Sequence, residues 1–181
     1  MATRPNDVRM TLAEFLAWDD GTDTVYELIN GQIFAMTAPH WRHARVLSRL
    51  DRRIGAAIEP PCEVFTTGGV VPLEVDDTWL VPDLVVSCAE QDEADRHIRE
   101  PKLIVEVVSP SSHDHDRGRK VDLYRRIASV EEILVVWSRE RRVELWRRDG
   151  RRWVVEDFVG NAAFRLETLS ATLGLADIYG D

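Results

Sequence analysis

The sequence predicts a mixed α/β domain, and three observations carry that reading. The chain of 181 residues has the length of a single domain, residues 1–181. Helical and strand-like apolar patterns alternate along it with no internal repeat and no linker. Near its middle, residues 102–108 form a dense apolar run rich in β-branched side chains, the pattern of a buried central strand. Hydrophobic residues make up 44% of the chain. That is enough for a substantial core, since a domain of this size buries about 70% of the surface its unfolded chain exposes. Disorder and low complexity are excluded.

The elements follow in order. Thr11-Leu12-Ala13-Glu14 is a capping box, so a short helix is expected up to Trp18. Residues 25–29 and 32–36 are strand-like runs joined by Asn30-Gly31. Both central positions of such a hairpin turn need positive φ, which Asn and Gly tolerate. Over residues 40–58, Ala44, Leu47, Leu50, Ile54 and Ile58 recur at three- and four-residue spacing, one face of a long helix that Pro60-Pro61 ends. Strands are expected at residues 62–66, 70–75 and 79–87, punctuated by Gly68-Gly69 and Asp76-Asp77. The acidic residues 90–95 read as a solvated loop or short helix. After the buried strand, Pro110-Ser111-Ser112 is a break and residues 116–128 a helix. Residues 133–137, 143–146 and 153–158 read as strands linked by charged turns, and residues 170–178 as a short helix.

The formal net charge is −9, from 32 acidic against 23 basic residues. This balance argues against a protein coated in positive charge for non-specific DNA binding, although it describes no single cleft. Positive charge is local. Five Arg against Asp51 give +4 over residues 42–53, and seven Arg against three acids give +4 over residues 139–152. Each stretch has two readings, a solvated face laced with salt bridges or a contact for a phosphate backbone, the first preferred for residues 139–152. Trp137, Trp146 and Trp153 occupy strand positions and are expected in the core. The N-terminus lacks a signal-peptide-like apolar run, and no stretch reaches the ~20 apolar residues of a membrane span. Cys62 and Cys88, both in apolar strand contexts, are expected as buried free thiols in a reducing cytoplasm. They match no zinc-binding spacing.

Two acids and one lysine stand out. Asp83 follows Pro82 and precedes Leu84-Val85-Val86, and Glu106 interrupts the apolar run 103–108. A carboxylate among apolar residues of a central strand is costly unless it is paired or binds a cation. Two of them on adjacent strands repel, and a hard divalent cation relieves that repulsion. Mg²⁺ suits one or two carboxylates with waters and phosphate oxygens. Taken singly, each acid also reads as a strand-end carboxylate facing water. Lysine is scarce: 21 of the 23 basic residues are Arg, leaving Lys102 and Lys120. Lys102 begins a strand and reads as a surface residue. Lys120 lies in a helix directly after the most buried strand, where a compact charge with a tunable pKa has a use.

Pro82-Asp83, with Glu106 on a second strand, resembles the PD-(D/E)xK nuclease signature. A longer ordered series is more specific. Tyr26-Glu27-Leu28-Ile29-Asn30-Gly31, His43, Pro82-Asp83-Leu84-Val85-Val86, Glu106-Val107-Val108-Ser109-Pro110-Ser111-Ser112, Asp116, Lys120 and Tyr124 resemble the Uma-type family of restriction endonuclease-like proteins. The similarity runs from about Thr11 to Phe158. It implies a restriction-endonuclease-like core, a central mixed β-sheet flanked by helices. It also implies Mg²⁺- or Mn²⁺-dependent hydrolysis of phosphodiester bonds in DNA, with Asp83 and Glu106 as metal ligands. Lys120 would orient the attacking water or offset charge in the transition state. In the general signature the lysine stands two residues after the glutamate, where this chain has Val108. In the resembled family it is displaced to the next helix, and Lys120 fits that place. A four-carbon stem can deliver the ammonium from there if the helix packs back across the sheet. Glu27 matches the family's early glutamate, which would support a metal; its other reading is an exposed strand glutamate. His43 matches a family position with phosphate contact as its role, while a lone helix histidine also reads as structural. Nucleases of this superfamily often pair, so a homodimer is expected.

His113-Asp114-His115-Asp116 looks like a metal tract but reads more simply as a polar loop, with Asp116 near a helix N-cap. Asp116 and Lys120, at i and i+4, could form a salt bridge, with Tyr124 packed beside the lysine or bonded to it. His40 can share a helix face with His43. Two other function classes stay open. One is a non-catalytic nucleic-acid-binding or interaction protein on the same fold, suggested by Val108 and the negative charge. The other is a metal phosphoesterase acting on RNA or nucleotides.

Overall fold

In the computed structural model, which describes residues 9–71, 76–108 and 116–180, with backbone only at 116 and 117, the chain opens with the capping box. Thr11 caps α1 (Leu12–Ala17): its hydroxyl accepts from the Glu14 N–H while the Glu14 carboxylate accepts from the Thr11 N–H. β1 (Tyr26–Ile29) and β2 (Gln32–Ala35) pair as an antiparallel hairpin across Asn30 and Gly31, whose φ values are 49° and 79°. α2 (Trp41–Gly55) follows, and the His40 ring caps it by accepting from the Arg42 N–H. Its buried face is Val46, Leu50 and Ile54; Ala44 is exposed and Leu47 only partly buried.

The central sheet has six strands. β3 (Glu63–Thr66), β4 (Leu84–Ser87), β5 (Pro101–Val108), β6 (Glu132–Trp137), β7 (Arg142–Asp149) and β8 (Arg152–Val159) lie in chain order. All neighbours are antiparallel except β5 and β6. A parallel pair needs a crossover, and α3 (Asp116–Tyr124) lies within it. The period-2 alternation of β5 then sorts its side chains. Leu103, Val105 and Val107 face α2 and the C-terminal elements, whereas Ile104 and Val108 join Val121, Leu123 and Tyr124 of α3. Glu106 shares the α3 side. The C-terminal elements are a hairpin of β9 (Ala163–Leu166) and β10 (Ala171–Gly174), then α4 (Leu175–Tyr179). The sequence predicts helix over all of residues 170–178; the first half is strand, because Leu173 pairs with Phe164 and buries beside it. The pairing of β9 leaves no local signal strong enough to announce that strand.

The N-terminal hairpin joins the sheet through residues 79–81. Leu28 and Trp79 exchange two backbone hydrogen bonds, and Val70 and Leu80 exchange two more. Gly69 leaves room for the Trp79 ring, which would lie 1.8 Å from any Cβ built there. The strand expected at 79–87 is therefore two isolated bridges followed by β4, since Pro82 offers no N–H. Of the strand expected at 70–75, Val70 forms a bridge and residues 72–75 lie outside the described residues, as does the tract His113-Asp114-His115. The helix expected to reach Ala128 ends at Tyr124 and continues as turns. Residues 90–95 are a loop in which Asp92 and Asp95 pair with Arg99.

The cysteine expectation is overturned. Cys62 and Cys88 form a disulfide, and neither is a free thiol. Antiparallel pairing of Glu63 with Ser87 brings the residues just beyond them together, which a separation of 26 residues conceals in the sequence. The cytoplasmic expectation drew on those thiols and loses that support. Among the described residues no helix is long and apolar enough to cross a membrane.

Candidate active site

Asp83 sits one residue before β4 and Glu106 in the middle of β5. Leu84 pairs with Val105, so one further step along the antiparallel ladder sets Asp83 opposite Glu106. The Val107 N–H donates to Asp83 Oδ2 at 2.7 Å, which ties the aspartate to the strand that carries the glutamate. His43 reaches from α2 and its Nε2 lies 3.0 Å from Asp83 Oδ1. The sequence suggests phosphate contact for His43; here its ring lines the cavity and holds the aspartate.

α3 packs across the sheet and delivers Lys120 and Tyr124, one turn apart. The Tyr124 hydroxyl donates to Glu106 Oε1, and Lys120 Nζ lies 3.4 Å from the same oxygen. Lys120 Nζ is also 2.9 Å from Glu27 Oε1. Glu27 is buried rather than exposed, and its Oε1 accepts from the Val81 N–H at 2.9 Å. The partner expected for Lys120 on its own helix, Asp116, has its side chain outside the described residues. Asp83, Glu106, Glu27, His43 and Lys120 thus come together from five separate segments. Sequence reasoning has no access to the two backbone N–H groups of Val81 and Val107, nor to the bond from Tyr124 to Glu106 rather than to the lysine.

The electrostatics follow from burial. Burial pushes the Glu106 carboxyl up, Lys120 pulls it back, and Asp83 and Glu27 push it up again, to about 7. Burial works against the Lys120 ammonium, but the charges of Glu106 and Glu27 outweigh it and hold the lysine above its ordinary value. Burial alone would pull His43 down; the hydrogen bond and charge of Asp83, with Glu106 behind it, carry the ring above its ordinary value instead. Burial also raises Tyr124, so its hydroxyl keeps its proton.

Glu27, His43, Asp83, Glu106 and Lys120 line a cavity of about 890 Å³ between the β1–β2 hairpin, the start of α2, and α3. At its floor three carboxylates, Glu27, Asp83 and Glu106, meet Lys120 and His43, while His40, Arg119 and Arg139 belong to the lining farther out, so the acids are drawn together in a partly desolvated place. Among the described residues no group of three or more His, Cys, Asp or Glu side chains is disposed to hold a metal ion. A caged transition-metal site is therefore not what this donor set resembles. Asp83 and Glu106 are hard oxygen donors on neighbouring strands, which fits an ion that takes two carboxylates and fills its other positions with water or phosphate.

A nuclease-like α/β fold with a recessed carboxylate–lysine cluster is the class these features define. The chain belongs to the Uma2 family, described as "Putative restriction endonuclease", whose model matches residues 12–177. Uncharacterized protein slr1290 of Synechocystis sp. is 25% identical over 174 residues, covering 94% of this chain and 92% of that protein. Uncharacterized protein sll1609 of the same organism is 26% identical over 159 residues, 85% of this chain and 90% of its own. A crystal structure described as a putative nuclease belonging to DUF820, from Anabaena variabilis, superposes with a TM-score of 0.77 at 19% identity, covering 94% of this chain and 97% of the other.

Proposed function

We propose that the protein is a divalent-metal-dependent nuclease that hydrolyses phosphodiester bonds in DNA. One observation supports the reading: Lys120 Nζ, carried by α3, lies 2.9 Å from Glu27 and 3.4 Å from Glu106. Asp83 and Glu106 would hold Mg²⁺ or Mn²⁺. The ion, when bound, would polarise the scissile phosphate and lower the pKa of a coordinated water. Lys120 stays protonated beside its carboxylates, so it acts as a donor that orients the attacking water and offsets charge on the phosphate, not as a base. His43 and the Val107 N–H hold both oxygens of Asp83. Tyr124 and Lys120 hold one oxygen of Glu106 and leave its carboxylate turned to the cavity. The single-domain and homodimeric organisation belongs to the same reading.

The test is cleavage of plasmid DNA in Mn²⁺. Asp83→Asn, Glu106→Gln and Lys120→Met should each lower the rate by about 100-fold or more, and chelator should abolish it. Wild-type cleavage by Lys120→Met would remove the displaced lysine from the proposal. Tight, metal-independent DNA binding without cleavage would favour a binding module instead.

A further inference from the structure

The mouth of the cavity carries side chains that packing does not explain. Trp41, Phe34 and Met36 are 57%, 40% and 37% exposed, and Phe34 and Met36 line the cavity itself. Glu27 pairs with Phe34 across the hairpin, so both project from one face, the carboxylate at the floor and the ring on the wall. Trp41 opens α2 beside His40, another lining residue, with ring centroids 5.6 Å apart. Guanidinium groups gather on these rings. Arg42 and Arg45 lie 5.2 and 5.0 Å from the Trp41 ring, and Arg119 lies 5.7 Å from that of Phe34. The floor of the cavity is acidic and its rim is basic and aromatic.

We infer that this rim binds unpaired nucleotides, so the preferred substrate is a single strand or a strand displaced from a duplex. The inference rests on the nuclease reading only in taking the cavity as the place where a phosphodiester enters. The physical argument has two parts. Exposed aromatic rings flanked by arginines match a polyanion whose bases offer flat π faces, and a duplex keeps those faces stacked inside. The acidic cluster is also recessed, with Glu106 only 9% exposed. A flexible strand can carry a phosphate down to it while its bases rest on the wall; a stiff duplex has to be opened first.

Full-length wild type, Trp41→Ala and Trp41→Phe can be compared by fluorescence anisotropy in Ca²⁺. The probes are a labelled single strand, a blunt duplex and a flapped duplex of one sequence. Wild type should bind the single strand and the flap about tenfold more tightly than the blunt duplex. Trp41→Ala should lose about tenfold on the single strand and little on the duplex, and Trp41→Phe should recover most of that loss. Equal affinity for all three probes, or no effect of Trp41→Ala, overturns the inference. So does loss of self-association in Trp41→Ala with DNA binding unchanged, which would assign the face to a second copy of the chain. A ribo-oligonucleotide of the same sequence identifies the sugar: tighter binding than the DNA strand assigns the rim to RNA strands, weaker binding to DNA strands. Strand preference without cleavage of any probe in Mn²⁺ upholds this inference while ending the nuclease reading.

Discussion

Glu106 lies 3.4 Å from Lys120, and Glu27 and Asp83 add negative charge from two sides. Burial first, then the charges of Asp83 and Glu27 against that of Lys120, push the Glu106 carboxyl up to about 7 in the metal-free protein. A divalent ion held by Glu106, as proposed, would have to displace the carboxyl proton, so its binding would be weakest in acid. The sign follows: Mn²⁺ affinity falls as pH drops below about 7, by up to tenfold per unit, and levels off above it. Isothermal titration from about pH 5.5 to 8.5, in buffers of different ionisation enthalpy, measures both the affinity and the proton released. A flat profile with no proton release would show that Glu106 is not a ligand.

At the scale of elements, two buried glutamates on adjacent strands make a comparison. Glu132 opens β6 at 1% exposure and accepts from the Arg147 Nε, the Glu167 and Thr168 N–H groups and the Thr168 hydroxyl. Those bonds pin the β9–β10 turn to the sheet, so Glu132 is a structural carboxylate. Glu106, on β5, faces other carboxylates instead. Glu132→Ala should cost about 3 kcal/mol, because buried donors are left without partners. Glu106→Gln should cost little or stabilise, because it relieves repulsion from Asp83 and Glu27. Urea melts of both variants check this; a larger loss for Glu106→Gln than for Glu132→Ala would reverse the assignment. The crossover between β5 and β6 is what brings α3, with Lys120 and Tyr124, over the glutamate.

Across the whole molecule, the net charge of −9 conceals how the arginines are used. In residues 42–53, Arg49 donates to the Ile178 carbonyl and Arg53 pairs with Asp177, so that end of α2 holds α4. In residues 139–152, Arg142 and Arg147 bond to Asp157 and Glu132 within the sheet, Arg141 donates to the Gly180 carbonyl, and Arg148 donates to the Val130, Arg125 and Ile127 carbonyls between α3 and β6. Salt bridges, the reading preferred for that stretch, form at Arg142 and Arg147. Arg119 and Arg139 line the cavity, and Arg42 and Arg45 lie on the Trp41 ring, beside the lining residue His40. About four phosphate contacts predict a shallow salt dependence, with a slope of log affinity against log salt of about −3 on a single strand. Anisotropy titrations between about 50 and 200 mM salt measure it. A slope steeper than about −6 would mean that a wider basic surface takes part.

Local chemistry in the sequence was enough for the capping box at Thr11, the Asn30-Gly31 hairpin, the buried strand at β5 and the choice of Asp83, Glu106 and Lys120 as chemically unusual. Each depends on neighbours within a few residues: a hydroxyl three positions from a carboxylate, a turn that needs positive φ, a charge in an apolar run. What lay beyond it depends on which segments meet. The Cys62–Cys88 bond, the strand β9, and the bonds from Val81 and Val107 all arise from pairing between distant residues. The same holds for the exchange of partners at the site, where Lys120 turns to Glu27 and His43 to Asp83. Periodicity reports which face of an element is apolar, but only the register of β4 on β5 and the packing of α3 across the sheet decide that three carboxylates and one lysine share a cavity.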